Sequence, residues 1–385
     1  MPTYARADVA FERGEGPYLF DEEGKRYLDF GTGIATASLG HAHPAMVEAI
    51  SKQAATVMHV SNLYRIAGQE RLAERLCANT FAERVFFCNS GAEANEALIK
   101  LTRRYHFANG NPERYRIITF ANCFHGRTLA TIAATGTEKV LEGFGPKVDG
   151  FDHVEVGDLA KVEALIGDKT AGILIEPVQG EGGIIPIADE FLQGLRKLCD
   201  KHGILLGFDE VQSGMGRTGK LLACEWSGVK PDVVSLGKGI AGGFPVGACL
   251  ATAEAAKGMV AGTHGSTYGG NPLAMAAGNA VLDVLLGDGF LEGVQSIGAQ
   301  MMESLEAMRR RNDSVIDEVR GKGLFIGVKT KVTNMDVVNA ARAKGLITVP
   351  AADNVVRLLP PLTIDGTVAD EALAILEDVC RDLGQ

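Results

Sequence analysis

Between Val85 and Leu236 the chain alternates short apolar runs with stretches of helical periodicity, and this alternation constrains the fold more than any other feature. The runs Val85–Cys88, Arg116–Phe120, Gly172–Glu176, Ile204–Asp209 and Asp232–Leu236 have strand length and are rich in β-branched and aromatic residues. They lack the polar alternation of a half-solvated sheet, as expected of strands covered on both faces. In the stretch Ala92–Phe107, Ala94, Leu98, Leu101 and Tyr105 fall on one helical face. A second helical stretch covers Ala188–His202. Strands separated by helices are joined by crossovers, so the class is α/β with a mostly parallel sheet between helical layers.

The flanks read differently. Tyr18–Phe20 and Arg26–Phe30 bracket a glycine turn, as in a hairpin, and Pro44 opens a helix through Ala54. After Pro272 a long helical region runs to Asn312. It is followed by Val315–Lys329, a helix near Met335–Ala343, strands near Ile347 and Val355–Leu359, and a helix from Val368. We therefore expect an N-terminal segment over 1–50, a large domain over 51–272 and a smaller α+β domain over 273–385, the first and last forming one unit.

Charge and cysteine usage exclude several classes. The formal charge is −10, which argues against nucleic acid as a partner. Seven cysteines, without a CxxC pair, suit a reducing compartment better than a disulfide scaffold or a zinc site. The first residues carry acids among bases and no apolar core, so no secretory signal is read, no run reaches the length of a membrane span, and the cytoplasm is expected. No metal is expected either, because His41 and His43 have no companion cluster of acids or cysteines nearby.

Three local features carry chemistry. Asp209 closes the run Ile204–Asp209, and the carboxyl end of a central parallel strand is where ligands bind in open α/β sheets. Ser90, Gly91 and Ala92 form a strand-to-helix turn whose free N–H groups and dipole suit a phosphate. Lys238 stands between Gly237 and Gly239 just past the run Asp232–Leu236, and burial there would make it a nucleophile toward carbonyl carbon. A phosphate seat, a strand-end carboxylate and a glycine-flanked lysine are the three groups that pyridoxal phosphate needs. Two nucleotide motifs fail. Gly31 and Gly33 lack a third glycine at Thr36, and Gly214–Lys220 matches a P-loop until Leu221 stands where magnesium needs a hydroxyl.

The segments FDEVQSGMGRTGK and PDVVSLGKGIAGGFPVGA resemble the class III pyridoxal-phosphate aminotransferases of fold type I. The resemblance extends through FFCNSGAEANEALIK, FHGRTLATIAATG, IEPVQGEGGI, HGSTYGGNPLA and VVRLLPPLTI, and is nearest to the acetylornithine-using members. It implies a seven-stranded, mostly parallel sheet, pyridoxal phosphate as cofactor, and a homodimer with shared active sites. It implies that Lys238 condenses with the cofactor aldehyde and later moves the proton, that Asp209 pairs with the pyridine nitrogen, and that Gln212 bonds the ring hydroxyl. Phe124 and Val211 would sandwich the ring. Ser90, Gly91 and Ala92 would hold the phosphate, with Thr267 reaching the same phosphate in the partner subunit. Arg127 would take a substrate carboxylate, Glu181 and Arg357 would form a substrate-sensing pair, and Ser266 and Tyr64 would complete the substrate pocket.

The implied reaction joins N2-acetylornithine and 2-oxoglutarate to N-acetylglutamate semialdehyde and glutamate, a step of arginine biosynthesis. Ornithine, succinylornithine, succinyldiaminopimelate and 4-aminobutyrate are alternative donors. A mutase or decarboxylase of the same fold is the alternative of a different class. Ala67 and Gly68 replace a Glu-Pro common in relatives, and Arg65 beside them is unusual, which bears on the shape of the substrate mouth.

Overall fold

The protein is described here by a computed structural model covering residues 1–384. Its centre is a seven-stranded sheet. From edge to edge the strands are Arg84–Cys88, Gly247–Ala251, Val233–Leu236, Leu205–Asp209, Thr170–Ile175, Arg116–Phe120 and Phe151–Val154. Gly247–Ala251 runs antiparallel to both neighbours and the other pairings are parallel, so the sheet is mostly parallel, as expected. The strands Thr170–Ile175, Leu205–Asp209 and Val233–Leu236 are buried along their whole length, which explains their unbroken apolar runs.

Helix Gly91–Ala108 packs on one face of this sheet with Ala94, Leu98 and Leu101 buried; Tyr105 is only partly covered. Helix Asp189–His202 buries Phe191, Leu192, Leu195 and Cys199 and ends on Gly203 in the left-handed region, which a residue without a side chain adopts most readily.

The long helical region expected to run to Asn312 is two helices, Pro272–Leu285 and Phe290–Arg311, bent by 71° at the break. Gly287 and Gly289 lie in that break, Gly289 with φ of 74°, a combination that helical periodicity alone does not register. Helix Pro272–Leu285 packs against Pro44–Ala54 and Ala67–Asn79 beside the large sheet. Phe290–Arg311 packs instead on the hairpin Ile316–Lys322 and Phe325–Thr330. The last helix, Gly366–Leu383, starts two residues before the expected Val368, because Asp365 caps it by accepting from the Val368 N–H.

The two ends of the chain meet. Strands Phe11–Glu15, Tyr18–Asp21 and Arg26–Asp29 form a meander whose last strand pairs in parallel with Leu346–Ile347. A second small sheet pairs Phe325–Thr330 with Val355–Leu358 and sets Gly327 opposite Arg357. The Leu359 N–H donates to the Phe30 carbonyl at 2.7 Å and locks these pieces together. His41 is engaged by Asp29 at 2.8 Å, a structural pair. Among the described residues, no single helix is long and apolar enough to cross a membrane.

Candidate active site

The parallel register sets Asp209 opposite Ser235, so the strand carrying the carboxylate and the strand leading to Lys238 end side by side. Beyond them lies a cavity of about 240 Å³ whose lining includes Gly91, Ala92, Phe124, Asp209, Gln212 and Lys238. Arg127 and Val211 also reach it. Residues from four separate strand-to-loop transitions therefore converge at one end of the sheet. A larger groove of about 790 Å³, on the side of helices Pro44–Ala54 and Ala67–Asn79, contains Arg65 but no comparable set of groups. Chemistry, not size, decides between them.

Glycines let these pieces meet. A β-carbon on Gly91 would stand 2.5 Å from Cγ1 of Val211. A β-carbon on Gly237 would stand 3.0 Å from the Gly91 α-carbon and 3.1 Å from its nitrogen. The residue before the lysine thus abuts the N-terminus of helix Gly91–Ala108. The Ser90 hydroxyl is engaged with Glu93, accepting from its N–H and donating to its carboxylate. Gly91 and Ala92 are first-turn residues, whose N–H groups have no acceptor one turn back. They offer donors and a dipole end to an anion.

Lys238 has φ of 43°, an uncommon conformation for a residue with a side chain. It is partly exposed and lines the cavity. Burial lowers its pKa to about 8; Glu181 opposes that shift and Arg357 assists it.

Asp209 is 3% exposed and is held from three directions. Its Oδ2 accepts from Asn95 Nδ2 at 2.7 Å and lies 2.7 Å from His125 Nδ1, and its Oδ1 accepts from the Val211 N–H at 3.0 Å. Asn95 is oriented in turn by the Ser235 hydroxyl, which donates to its Oδ1 at 2.6 Å. Burial opposes a charge on His125, yet the Cys123 sulfur and the Asp209 carboxylate outweigh it and hold the ring well above the usual histidine range. Glu176 lies behind this group. Its carboxylate accepts from the Phe124 N–H at 2.8 Å and the Gly180 N–H at 3.0 Å. Burial, and then the negative Asp209, push its pKa up to about 7.

Behind Gln212, which lines the cavity, Arg357, 1% exposed, donates to Glu181 through Nη1 at 2.6 Å and Nη2 at 3.2 Å. It also donates to Gln212 Oε1 at 3.0 Å and to the Pro350 carbonyl at 2.9 Å. The Glu181 carboxylate is held below the ordinary range: burial works against this, and the Arg357 charge prevails. Arg127 is exposed at the mouth with its guanidinium 5.5 Å from the Phe124 ring centroid.

Three expected residues lie apart from the cavity in the single chain. Ser266 accepts from Asn89 Nδ2 and from the Gly269 N–H, which fixes its own loop. Thr267 is exposed, and Tyr64 is 70% exposed. Asn95, His125 and Glu176 were not singled out from the sequence. Each sits inside a segment quoted for the resemblance, but only the fold shows that Asn95 and His125 meet at Asp209 and that Glu176 holds the Phe124 and Gly180 N–H groups beside them.

A class-III aminotransferase family model matches residues 2–380. The chain belongs to the class-III aminotransferases.

Similarity within the family is high. The acetylornithine aminotransferase of Agrobacterium fabrum is 59% identical over 99% of this chain and 96% of its own length. That of Brucella melitensis is 57% identical over 99% and 94%. Among solved structures, the ornithine aminotransferase of Toxoplasma gondii superposes with a TM-score of 0.95 at 30% identity, covering 100% of this chain and 92% of that one. The N-acetylornithine aminotransferase of Stenotrophomonas maltophilia gives 0.86 at 35% identity, covering 99% and 97%. A second Toxoplasma gondii structure, with a TM-score of 0.94 at 30% identity over 98% and 92%, has partial occupancy of PLP at its active site.

This aminotransferase has the fold type I architecture expected from its sequence. The glycine cradle at Gly91 and Gly237, the lysine whose pKa is lowered to about 8 and the strand-end carboxylate fit pyridoxal phosphate.

Proposed function

We propose that the enzyme transfers the terminal amino group of N2-acetylornithine to 2-oxoglutarate with pyridoxal phosphate as cofactor. When bound, the cofactor supplies an electron-poor ring that stabilises charge as a proton leaves the amine-bearing carbon. Gly91 and Ala92 hold its phosphate through N–H groups, and Ser90 keeps that helix end in place. Lys238, neutral above about pH 8, takes and returns the proton at Nζ. Asp209, backed by His125 and Asn95, keeps negative charge at the pyridine nitrogen. Phe124 and Val211 confine the ring, and Gln212 is placed for the ring hydroxyl.

The observation that carries this reading is the Glu181–Arg357 pair facing Lys238. Acetylornithine presents an uncharged carbon at the reacting position, whereas glutamate presents a carboxylate there. Both place their distal carboxylate on Arg127. The buried Arg357 stays neutralised by Glu181 for the first donor and is released to bind carboxylate for the second. A one-substrate mutase or decarboxylase has no use for that exchange. The full-length identity to acetylornithine aminotransferases supports the donor, and the likeness to ornithine aminotransferase structures keeps free ornithine as the second reading. The test is a comparison of kcat/KM for N2-acetylornithine, ornithine, succinylornithine and 4-aminobutyrate with 2-oxoglutarate. A preference for ornithine overturns the donor.

The same reading makes the enzyme a homodimer. Asn62 ties its loop to the Ser266 and Gly269 carbonyls, and the His59 ring packs against Tyr268, tilted by 49° at 5.0 Å between centroids. Together these loops display Leu63, Tyr64 and Tyr268, each more than half exposed. A second copy would cover this apolar patch and bring Thr267 to the partner's phosphate, with Ser266 and Tyr64 at the shared mouth. All seven cysteines are free thiols, in keeping with a cytoplasmic enzyme of arginine biosynthesis.

A further inference from the structure

The segment Gly214–Lys220, which matches most of a P-loop, lies on the side of the cofactor sheet that faces the C-terminal strands. Arg217 within it is 2% exposed and pairs with no carboxylate among the described residues. Its Nη1 donates to the Leu324 carbonyl at 3.1 Å and the Pro360 carbonyl at 2.6 Å, and its Nη2 is buried without a partner. Burial lowers its pKa to about 9. The main chains are equally close. The Leu324 N–H donates to the Arg217 carbonyl at 3.1 Å, and a β-carbon on Gly323 would stand 2.5 Å from the Thr218 carbonyl carbon.

The two carbonyls that Arg217 grips are not arbitrary. Leu324 leads into strand Phe325–Thr330, and Pro360 follows strand Val355–Leu358. These strands are antiparallel neighbours with Ile326 opposite Leu358, so Arg217 holds both at the same end. Arg357 is on the second strand, opposite Gly327. A buried charge without a counter-ion is unfavourable, and a methionine of similar length would remove that charge while leaving the Leu324 and Pro360 carbonyls without this donor. Cohesion between the two units alone would be met as well by methionine.

We infer that Arg217 is a positioning residue for the amino-group acceptor side of the reaction, fixing strand Val355–Leu358 so that Arg357 can receive a substrate α-carboxylate. This rests on the Glu181–Arg357 exchange proposed above. While Arg357 is paired, Glu181, Gln212 and the Pro350 carbonyl hold its guanidinium in place. Once Glu181 has left, the strand itself must hold the guanidinium in bidentate register with the incoming carboxylate, and Arg217 anchors that strand. Loss of Arg217 therefore penalises glutamate and spares acetylornithine.

The test uses holoenzyme carrying Arg217→Met or Arg217→Lys, with thermal melts and single-turnover half-reactions for glutamate and N2-acetylornithine. For Arg217→Met we expect a melting temperature close to wild type, because relief of the buried charge offsets the loss of the donors to the Leu324 and Pro360 carbonyls. We also expect a fall of about tenfold or more with glutamate and less than about threefold with acetylornithine. Arg217→Lys, which reaches one carbonyl, should lie between wild type and Arg217→Met with glutamate. Equal falls in both half-reactions, or no fall in either, overturn the inference. If Arg217→Met does not fold, Arg217→Lys decides: a wild-type ratio of the two rates overturns the inference and a selective glutamate loss supports it. Glu181→Ala is run alongside. Equal slowing there overturns the exchange alone, and a selective glutamate loss in Arg217→Met still assigns the clamp.

Discussion

Gly91 and Val211 face each other so closely that a single methyl group on the glycine would lie 2.5 Å from Cγ1 of the valine. The helix end proposed to seat the phosphate and the side chain proposed to confine the ring thus share one contact. Gly91→Ala should fold, with the valine displaced into the cavity at a cost of about 1–3 kcal/mol. That displacement should weaken cofactor binding by about tenfold or more. Titration of apoenzyme with pyridoxal phosphate checks this, and an unchanged dissociation constant would mean that the cavity accommodates the methyl group.

Lys238 gives a pH dependence. Its amine is neutral above about pH 8, so capture of the cofactor aldehyde by apoenzyme should accelerate with pH and level off above that value. Between about 8 and the unfolded value of 10.5, the unfolded chain holds a proton that the folded chain has released, so the lysine's contribution to stability rises with pH across that window. Lys238→Met apoenzyme should therefore melt above wild-type apoenzyme at pH 7, with the gap closing toward pH 10.5. A gap independent of pH would contradict the assigned burial of charge. The variant should also lack the visible absorbance of the lysine-bound cofactor.

The His125–Asp209 pair predicts coupled loss. A hydrogen bond to a charged group contributes about 1.5–3 kcal/mol, so His125→Asn should slow the proton-transfer step by about 10- to 100-fold while cofactor remains bound. Asp209→Asn should slow it more, and the double variant should resemble Asp209→Asn alone. Additive losses would show that His125 acts elsewhere.

Shared active sites predict complementation. Homodimers of Lys238→Ala subunits should be inactive, and so should homodimers in which Thr267 carries a bulky acidic replacement. Mixed dimers should regain activity, because one of their two sites combines an intact Lys238 with an intact Thr267. Confirmed mixed dimers without activity would place Thr267 outside the partner's site.

The buried strands were the most legible part of the fold, because Thr170–Ile175 and Leu205–Asp209 are covered on both faces and so read as unbroken apolar runs. The break between Leu285 and Phe290 was not legible, since apolar periodicity continues across it while Gly287 and Gly289 turn the backbone. In the site, Lys238, Asp209 and Gly91 were legible because strand ends and flanking glycines leave marks in sequence. Asn95, His125 and Glu176 were not. A buried polar residue is specified by its partners, and Asp209 for Asn95 and His125, like Phe124 for Glu176, is distant in sequence. Ser266, Thr267 and Tyr64 rest on resemblance, because a single chain gives them no ligand to face.

The parallel pairing of Arg26–Asp29 with Leu346–Ile347 has a consequence for biogenesis. During synthesis the meander at residues 11–29 emerges first, and its inner edge must wait for a partner some 320 residues later, tens of seconds at ordinary elongation rates. Throughout that interval Arg26–Asp29 presents unpaired N–H and C=O groups beside the apolar Tyr27 and Leu28, a template for pairing with another nascent chain. A chain truncated between Ala251 and Leu346 would have every strand of its large sheet while its first strands still lacked their partner. Aggregation of such fragments, more than loss of the central core, should therefore limit the yield of truncated protein.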